Sequence, residues 1–344
     1  MSSPAQTESS VTPPGCRVVA LGGGSGLAVV LRGLKRHVLE AGGPPARSLF
    51  PVADLTAVVT VTDDGGSSGR LRRELHMLPP GDIRNCLVAL SEDEALLSRL
   101  FQFRFASGSG LEGHSFGNLF LTAMTSITGD FAEAVRLSSG ILAARGHIFP
   151  STPADVELEA LMDDGSRVRG ETAISSSSRR IKELYLVPPD AAPMPQTLAA
   201  IAAADLITVG PGSLFTSLIP NLGVRGIPEA IAAAPALKIY VGNLMSQANE
   251  SLGLTAADHI RAIFQHAGRK VFDLAVLNST PLSSELRARY ALEGAAQVVN
   301  DLDAIAALGV RPVLADLLEP DGVARHSSDR LAALLLDLAC QRRA

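Results

Sequence analysis

A chain of 344 residues, 47% of them apolar, is long enough to bury a large core, and its length alone admits one to three domains. Its formal net charge of −5 argues against a general nucleic-acid binder, which carries a basic face. No uninterrupted apolar run is long enough to span a bilayer, and Cys16, Cys86 and Cys340 stand isolated, without metal-ligand or redox spacing, as expected of reduced thiols in a cytoplasmic protein. Residues Met1 to Gly15 are rich in Ser, Thr and Pro and lack an apolar core, so they read as a disordered tail rather than a signal peptide.

The predicted elements begin with Arg17 to Leu21, an apolar, β-branched run that breaks into Gly22-Gly23-Gly24-Ser25-Gly26. An apolar stripe at Leu27, Val30, Leu31, Leu34 and Val38 then follows helical spacing, with Arg32, Lys35 and Arg36 on the far side. The chain therefore reads as buried strand, tight glycine turn and helix. Glycines there take positive φ and let a ligand approach the backbone, and the N–H groups of the first helical turn face it. Gly22 to Gly26 is a candidate phosphate site; the alternative is an ordinary strand-to-helix turn. It is not a Walker A loop, because Gly-Lys-Ser/Thr is missing. No acidic residue closes a second strand about twenty residues on, so the NAD fingerprint is incomplete too. Gly42-Gly43-Pro44-Pro45 is expected to end this helix.

A second buried strand, Leu55 to Val61, runs into Thr62-Asp63-Asp64-Gly65-Gly66-Ser67-Ser68-Gly69-Arg70. Ligands of open α/β sheets bind at that edge. Two readings stand for Asp63 and Asp64: they accept from sugar hydroxyls or hold a divalent metal through water, or they bond nearby N–H groups and shape the turn. Gly65, Ser67, Ser68 and Arg70 join them as candidates. Pro79 to Asn85 turns into a helix with Asp82 as expected N-cap, while Arg84 and Asn85 are surface residues or face the crevice. Gly108 to Gly113 reads as a flexible loop. His114-Ser115-Phe116-Gly117-Asn118 then opens a long apolar helix, Leu119 to Ile127. His114, beside Ser115 and Asn118 at a helix start, is either a ligand residue or a structural histidine.

From Asp155 to Ile174 the period shortens to two, interrupted by Asp163-Asp164-Gly165-Ser166, which predicts a β-hairpin appended to the main sheet. Ser175 to Ser178 with Arg179-Arg180 reads as a solvated connection. Asp205 to Val209 is a further strand before a second glycine loop, Gly210-Pro211-Gly212-Ser213, where Ser213 is expected to cap the next helix and Gly212 offers another anion site. Leu237 to Val241 ends in Asn243-Leu244-Met245, Thr255 and Asp258 form a near capping box, and Val271 to Leu277 ends at Asn278. The last helix carries Leu331, Leu334, Leu335 and Leu338. Five strands thus end in small or polar residues, and in a parallel sheet those ends share one edge. Residues 16–344 read as one Rossmann-like, doubly wound α/β domain with a mostly parallel sheet and a hairpin insertion near 155–174.

Gly22 to Leu27, Val59 to Arg72, Pro79 to Cys86, Gly113 to Leu119, Leu206 to Ser213 and Asn243-Leu244-Met245 together resemble the bacterial YvcK family, the gluconeogenesis factors. That family is a branch of the CofD-like superfamily, which includes phospholactate transferase. The resemblance runs in order from about Val18 to Leu331. It implies a Rossmann-like fold, a cytoplasmic location, UDP-N-acetylglucosamine as ligand, and a role in carbon metabolism, cell shape and wall-precursor supply. Three departures stand out. Ser25 replaces the usual Thr, Thr62 the usual Ala, and Ser246 to Ser251 the usual Thr-Gln-Pro-Gly-Glu-Thr, with Glu250 kept. The favoured expectation is a nucleotide-sugar-binding regulatory protein without turnover, assembled as a homo-oligomer. The alternative is a metal-assisted transferase, with Mg²⁺ held at Asp63 and Asp64. An NAD-dependent oxidoreductase falls on the incomplete fingerprint.

Overall fold

The computed structural model describes residues 15–39, 51–92, 94–320 and 322–343. The expected tail, apart from Gly15, and the Gly42–Pro45 stop lie outside them. Among the described residues ten strands are formed: β1 (Cys16–Gly22), β2 (Val52–Val59), β3 (His147–Pro150), β4 (Glu157–Met162), β5 (Arg167–Arg169), β6 (Ile181–Val187), β7 (Leu206–Val209), β8 (Leu237–Val241), β9 (Leu274–Asn278) and β10 (Arg311–Ala315).

Seven of them make one sheet in the order β10-β9-β8-β7-β1-β2-β3, and every neighbouring pair is parallel. Helices cover parallel sheets on both faces, which is why β1, β2 and β7 to β9 are near-continuous apolar runs. From β1 the chain winds outward through β2 to β3, then returns to β7 beside β1 and winds the other way. The sheet reverses between β1 and β7. This is a doubly wound α/β fold, with its switch point at the first glycine turn.

The two edge strands escape the sequence pattern for a physical reason. β3 and β10 each carry a proline and neither is continuously buried: β3 alternates buried with more exposed positions, and no residue of β10 is fully buried, because each has a neighbour on one side only. The second strand starts at Val52 and leaves the ladder after Val59, although Thr60 N–H still reaches the Gly22 carbonyl at 3.0 Å. Val271 and Phe272 are buried but precede β9, so they pack without pairing.

The first helix, Gly24–Leu34, tightens into a 3₁₀ turn at Lys35–His37, so it ends ahead of Val38. It packs against the helices Gly81–Leu90 and Ser328–Arg343. Gly33 permits that second contact: a Cβ there would lie 2.1 Å from the Ser328 carbonyl oxygen and 2.7 Å from the Ala332 Cβ. Gly33→Ala gains about 1 kcal/mol of helix propensity but forces two backbones apart. Overpacking of this kind costs about 1–3 kcal/mol. A net fall in melting temperature is expected by circular dichroism, against the rise that propensity alone would give.

The predicted hairpin is formed by β4 and β5, and β6 adds a third antiparallel strand in the order β5-β4-β6. β6 had the signal, with Leu184 and Leu186 buried between exposed Lys182 and Tyr185. This small sheet is pinned to the main layer where Leu184 N–H donates to His266 Nε2 at 2.9 Å. One hydrophobic cluster runs through both sheets.

Candidate functional site

β1 delivers its chain into the first glycine turn at the switch point. Gly23 is the N-cap of the helix Gly24–Leu34 and, having no side chain, supplies no cap. Gly24 has φ +58°, the left-handed region, which favours glycine there. Gly23 and Gly26 are needed for closeness instead. A Cβ on Gly23 would lie 2.6 Å from Asp82 Oδ2, and one on Gly26 would lie 2.3 Å from the Pro211 carbonyl oxygen. The two glycine turns are therefore in direct contact.

Asp82 does not cap its own helix; Pro80 stands at that N-cap, and Asp82 lies in the first turn. Its carboxylate lies instead beside the start of the first helix, where the Gly24 backbone favours its charge. Sequence spacing sees only the nearer helix, so the remote partner was hidden from it.

The second turn follows β7. Gly210 has φ +86° and donates its N–H to the Leu21 carbonyl at 3.1 Å, which ties the two strand ends together. Asn243, three residues after the β8 position Tyr240, grips the turn with both ends of its amide: Gly212 N–H donates to Oδ1 at 3.1 Å, and Nδ2 donates to the Gly212 carbonyl at 2.8 Å. Ser213 is the N-cap of the π-helical stretch Leu214–Leu218, but its side chain makes no cap bond. Glu250 does that work, accepting from Phe215 N–H at 2.7 Å and Thr216 N–H at 3.1 Å. The altered loop Ser246–Ser251 therefore keeps the one side chain that its neighbour requires.

Between the turns lies a cleft of about 610 Å³. Of the candidates, Gly23, Gly24, Ser25, Gly26, Asp82, Gly212, Ser213 and Asn243 line it. Arg32, placed on the far side of the helix by its spacing, lines it as well, as do Arg325 and His326. Glu171 enters from the small antiparallel sheet's side. Sequence reading had no signal for these last three, because they arrive from remote loops.

The charges in the cleft are tuned by burial. Desolvation pushes Asp82 up to about 6, with Asp63 adding to the rise and the Gly24 N–H and Arg84 opposing it. Burial also pushes Glu171 up to about 9, helped by Asp63, Asp82 and Asp64. Glu171 thus carries its proton at neutral pH, and the cleft is spared a second negative charge. His326 is buried and neutral, lowered to about 4, and its Nε2 has no partner.

The remaining candidates assemble beside the cleft without lining it. Gly22 is buried at the end of β1, its carbonyl accepting from Asn221 Nδ2 at 3.1 Å. Asp63 Oδ1 accepts from Gly65 N–H at 2.9 Å, and Asp64 Oδ1 accepts from Thr172 N–H at 2.8 Å. Asp64 thereby fastens the short helix that carries Glu171. Ser67 Oγ meets His114 Nδ1 at 2.9 Å, and Asn118 Nδ2 donates to Ser68 Oγ at 3.3 Å. Arg84 binds Ser115 Oγ at 2.7 Å, Asn118 Oδ1 at 3.2 Å and Asn85 Oδ1 at 3.0 Å. Arg70 holds the Gly108–Gly113 loop through the carbonyls of Glu112 and Gly110. Among the described residues no three His, Cys, Asp or Glu side chains converge as a metal-holding group.

A doubly wound parallel sheet with a glycine-lined cleft at its reversal is a Rossmann-like α/β protein. The model of the family described as 2-phospho-L-lactate transferase CofD matches residues 18–318, and the chain belongs to that family, among its gluconeogenesis factors. It is 47% identical to the gluconeogenesis factor of Halalkalibacterium halodurans, covering 93% of this chain and 95% of that one. It is 46% identical to that of Bacillus subtilis, covering 94% and 98%. The crystal structure of a UPF0052 family member from Bacillus halodurans superposes with a TM-score of 0.86 at 45% identity, over 93% of this chain and 99% of that one. No helix among the described residues is long and apolar enough to cross a membrane.

Proposed function

We propose that the switch-point cleft binds a nucleotide sugar, UDP-N-acetylglucosamine, and that the protein is a cytoplasmic regulatory binder coupling wall-precursor supply to gluconeogenic growth and cell shape. The observation that carries this is the contact of two glycine turns, Gly23–Gly26 and Gly210–Ser213, in one cleft. The first of them starts the helix Gly24–Leu34, whose first-turn N–H groups at Ser25 and Gly26 have no partner within the helix, the arrangement that suits phosphates. Arg32 and Arg325 bring cationic side chains to the same space, while Gln247, whose side-chain oxygen has no partner in the protein, offers an amide for a base or sugar. The name borne by the relatives supports the metabolic part.

The test is a thermal melt with added UDP-N-acetylglucosamine. At about a hundred times its dissociation constant a ligand adds about 2.7 kcal/mol, a rise of about 4 °C for a domain of this size. No rise at millimolar concentration, with the protein folded, rejects the reading.

One observation favours a second reading. Asp82 near 6 and Glu171 near 9 face one cleft, and separated carboxyl values are the pattern of acid–base pairs. A transferase acting on a phosphate-linked group uses such a pair. Release of UMP from UDP-N-acetylglucosamine on standing with Mg²⁺, with water as acceptor and the sugar departing with its phosphate, decides for it, and unchanged ligand decides for the binder.

A further inference from the structure

His326 lines the switch-point cleft although it is only 7% exposed, and its Nε2 is buried without a hydrogen-bond partner. Among the described residues the other cleft-lining side chain with such an atom is Gln247, at Oε1. Folded interiors hold few buried polar atoms left unpaired, because each gives up its bonds to water and gains none. Two in the wall of one cleft mark places that a bound molecule completes.

The segment that carries His326 is fixed from the end of β9. Asn278 Oδ1 accepts the Leu317 N–H at 3.0 Å, and the Leu317 carbonyl accepts the Ser327 N–H at 2.7 Å. Leu318 and His326 face each other in an isolated antiparallel bridge. On the far side the Ser327 carbonyl accepts the Leu331 N–H at 3.0 Å, inside the last helix. Asn278 is held in turn: its Nδ2 donates to the Thr280 carbonyl at 2.6 Å, and its own carbonyl accepts from Asn300 Nδ2 at 2.8 Å. The polar end of β9 thus sets the backbone on which His326 stands.

Burial lowers His326 to about 4, so the imidazole is neutral through the physiological range. A neutral ring is no counter-charge for a phosphate; that part falls to the first glycine turn and to the cationic side chains that line the same cleft. Nε2 suits a neutral polar group, with which it makes one hydrogen bond. In UDP-N-acetylglucosamine the neutral amide groups are the ring amide of the base and the acetamido group of the sugar. We propose that His326 is a specificity-determining residue of the cleft, its Nε2 hydrogen-bonded to an amide group of the nucleotide sugar. This rests on the nucleotide-sugar reading above. A histidine that only filled the wall would not discriminate between ligands.

Titration calorimetry of the full chain with UDP-N-acetylglucosamine and with UDP-glucose, which lacks the acetamido group, is the test. His326→Asn keeps a polar group near the place of Nδ1 and withdraws Nε2, whereas His326→Gln reaches the place of Nε2. The asparagine variant is expected to bind UDP-N-acetylglucosamine about tenfold more weakly, one hydrogen bond's worth, and the glutamine variant to recover most of that loss. An equal loss for UDP-glucose assigns the contact to the base; a loss confined to UDP-N-acetylglucosamine assigns it to the acetamido group. In the unaltered protein the His326 ring-nitrogen NMR signal should shift on addition of UDP-N-acetylglucosamine, a readout that needs no substitution. Wild-type affinity in His326→Asn overturns the proposal, as does a glutamine variant no better than asparagine, or a ring signal that stays in place at saturation. A wild type that binds neither ligand rejects the functional reading and the proposal with it; a wild type that binds while the variants match it rejects the proposal alone.

Discussion

Gly26→Ala is expected to weaken nucleotide-sugar binding by at least about a hundredfold, about 2.7 kcal/mol, and to lower stability as well. The added Cβ would lie 2.3 Å from the Pro211 carbonyl oxygen and 2.7 Å from its carbon, both main-chain atoms. No rotamer relieves such a contact, so the two glycine turns must separate, and the cleft between them loses its shape. Overpacking costs about 1–3 kcal/mol, which a denaturation curve will register. Gly24→Ala is the instructive partner. There the nearest atom, Ser217 Oγ, is 3.9 Å away, and only the φ of +58° is strained. Its penalty is about 1–2 kcal/mol, and its loss of affinity should be smaller. Wild-type affinity in Gly26→Ala would show that the contact between the turns has no part in binding.

Glu171→Gln should raise the melting temperature at pH 8 by about 3 °C, about 2 kcal/mol for a domain of this length, and leave little difference at pH 4. The sign follows from linkage. The folded value of about 9 exceeds the ordinary 4.5, so the folded chain holds the proton more tightly than the unfolded one. The stabilisation from that proton is complete below pH 4.5 and drains away as pH rises through about 9. Glutamine keeps the neutral shape at every pH and escapes the loss. Binding should follow the same course, because an ionised Glu171 places a second negative charge opposite the ligand phosphates. Affinity measured by calorimetry is expected to fall above pH 9 in the wild type and to persist in the variant. Parallel melting curves for the two proteins from pH 4 to 9 would refute the assignment.

The strands that carry the cleft were legible in the sequence because each is buried on both faces and ends in glycine or a short polar side chain. β1 and β8 can be placed almost to the residue. The edge strands β3 and β10 were not legible, since a strand with one neighbour needs no continuous apolar run. Candidate residues near a glycine turn were found for the same local reason: Gly23, Gly26 and Gly212 line the cleft. What spacing could not show is service at a distance. Asp82 sits at the start of a helix 58 positions earlier in the chain, beside Gly24. Glu250 caps the π-helical stretch 35 positions before it. Glu171, in a stretch read as the end of the hairpin, reaches the cleft from a short helix that follows β5. Such partners depend on how layers stack, which no window of sequence contains.

The packing of the first helix against Ser328–Arg343 has a consequence for how the protein comes into being. Arg36 pairs with Asp329, 293 positions further on, and Gly33 lies against Ser328. β1 likewise waits for β7 to occupy its second side. The helix of the first glycine turn therefore acquires its full set of neighbours only once Ser328–Arg343, far on in the chain, has been made. Contacts of such sequence separation form slowly, and a growing chain exposes Leu27, Leu31 and Leu34 until they arrive. A nascent chain stopped before Ser328 would hold every glycine of the cleft and still lack the packing partner of the first helix, so the first turn waits for Ser328–Arg343 to be set in place.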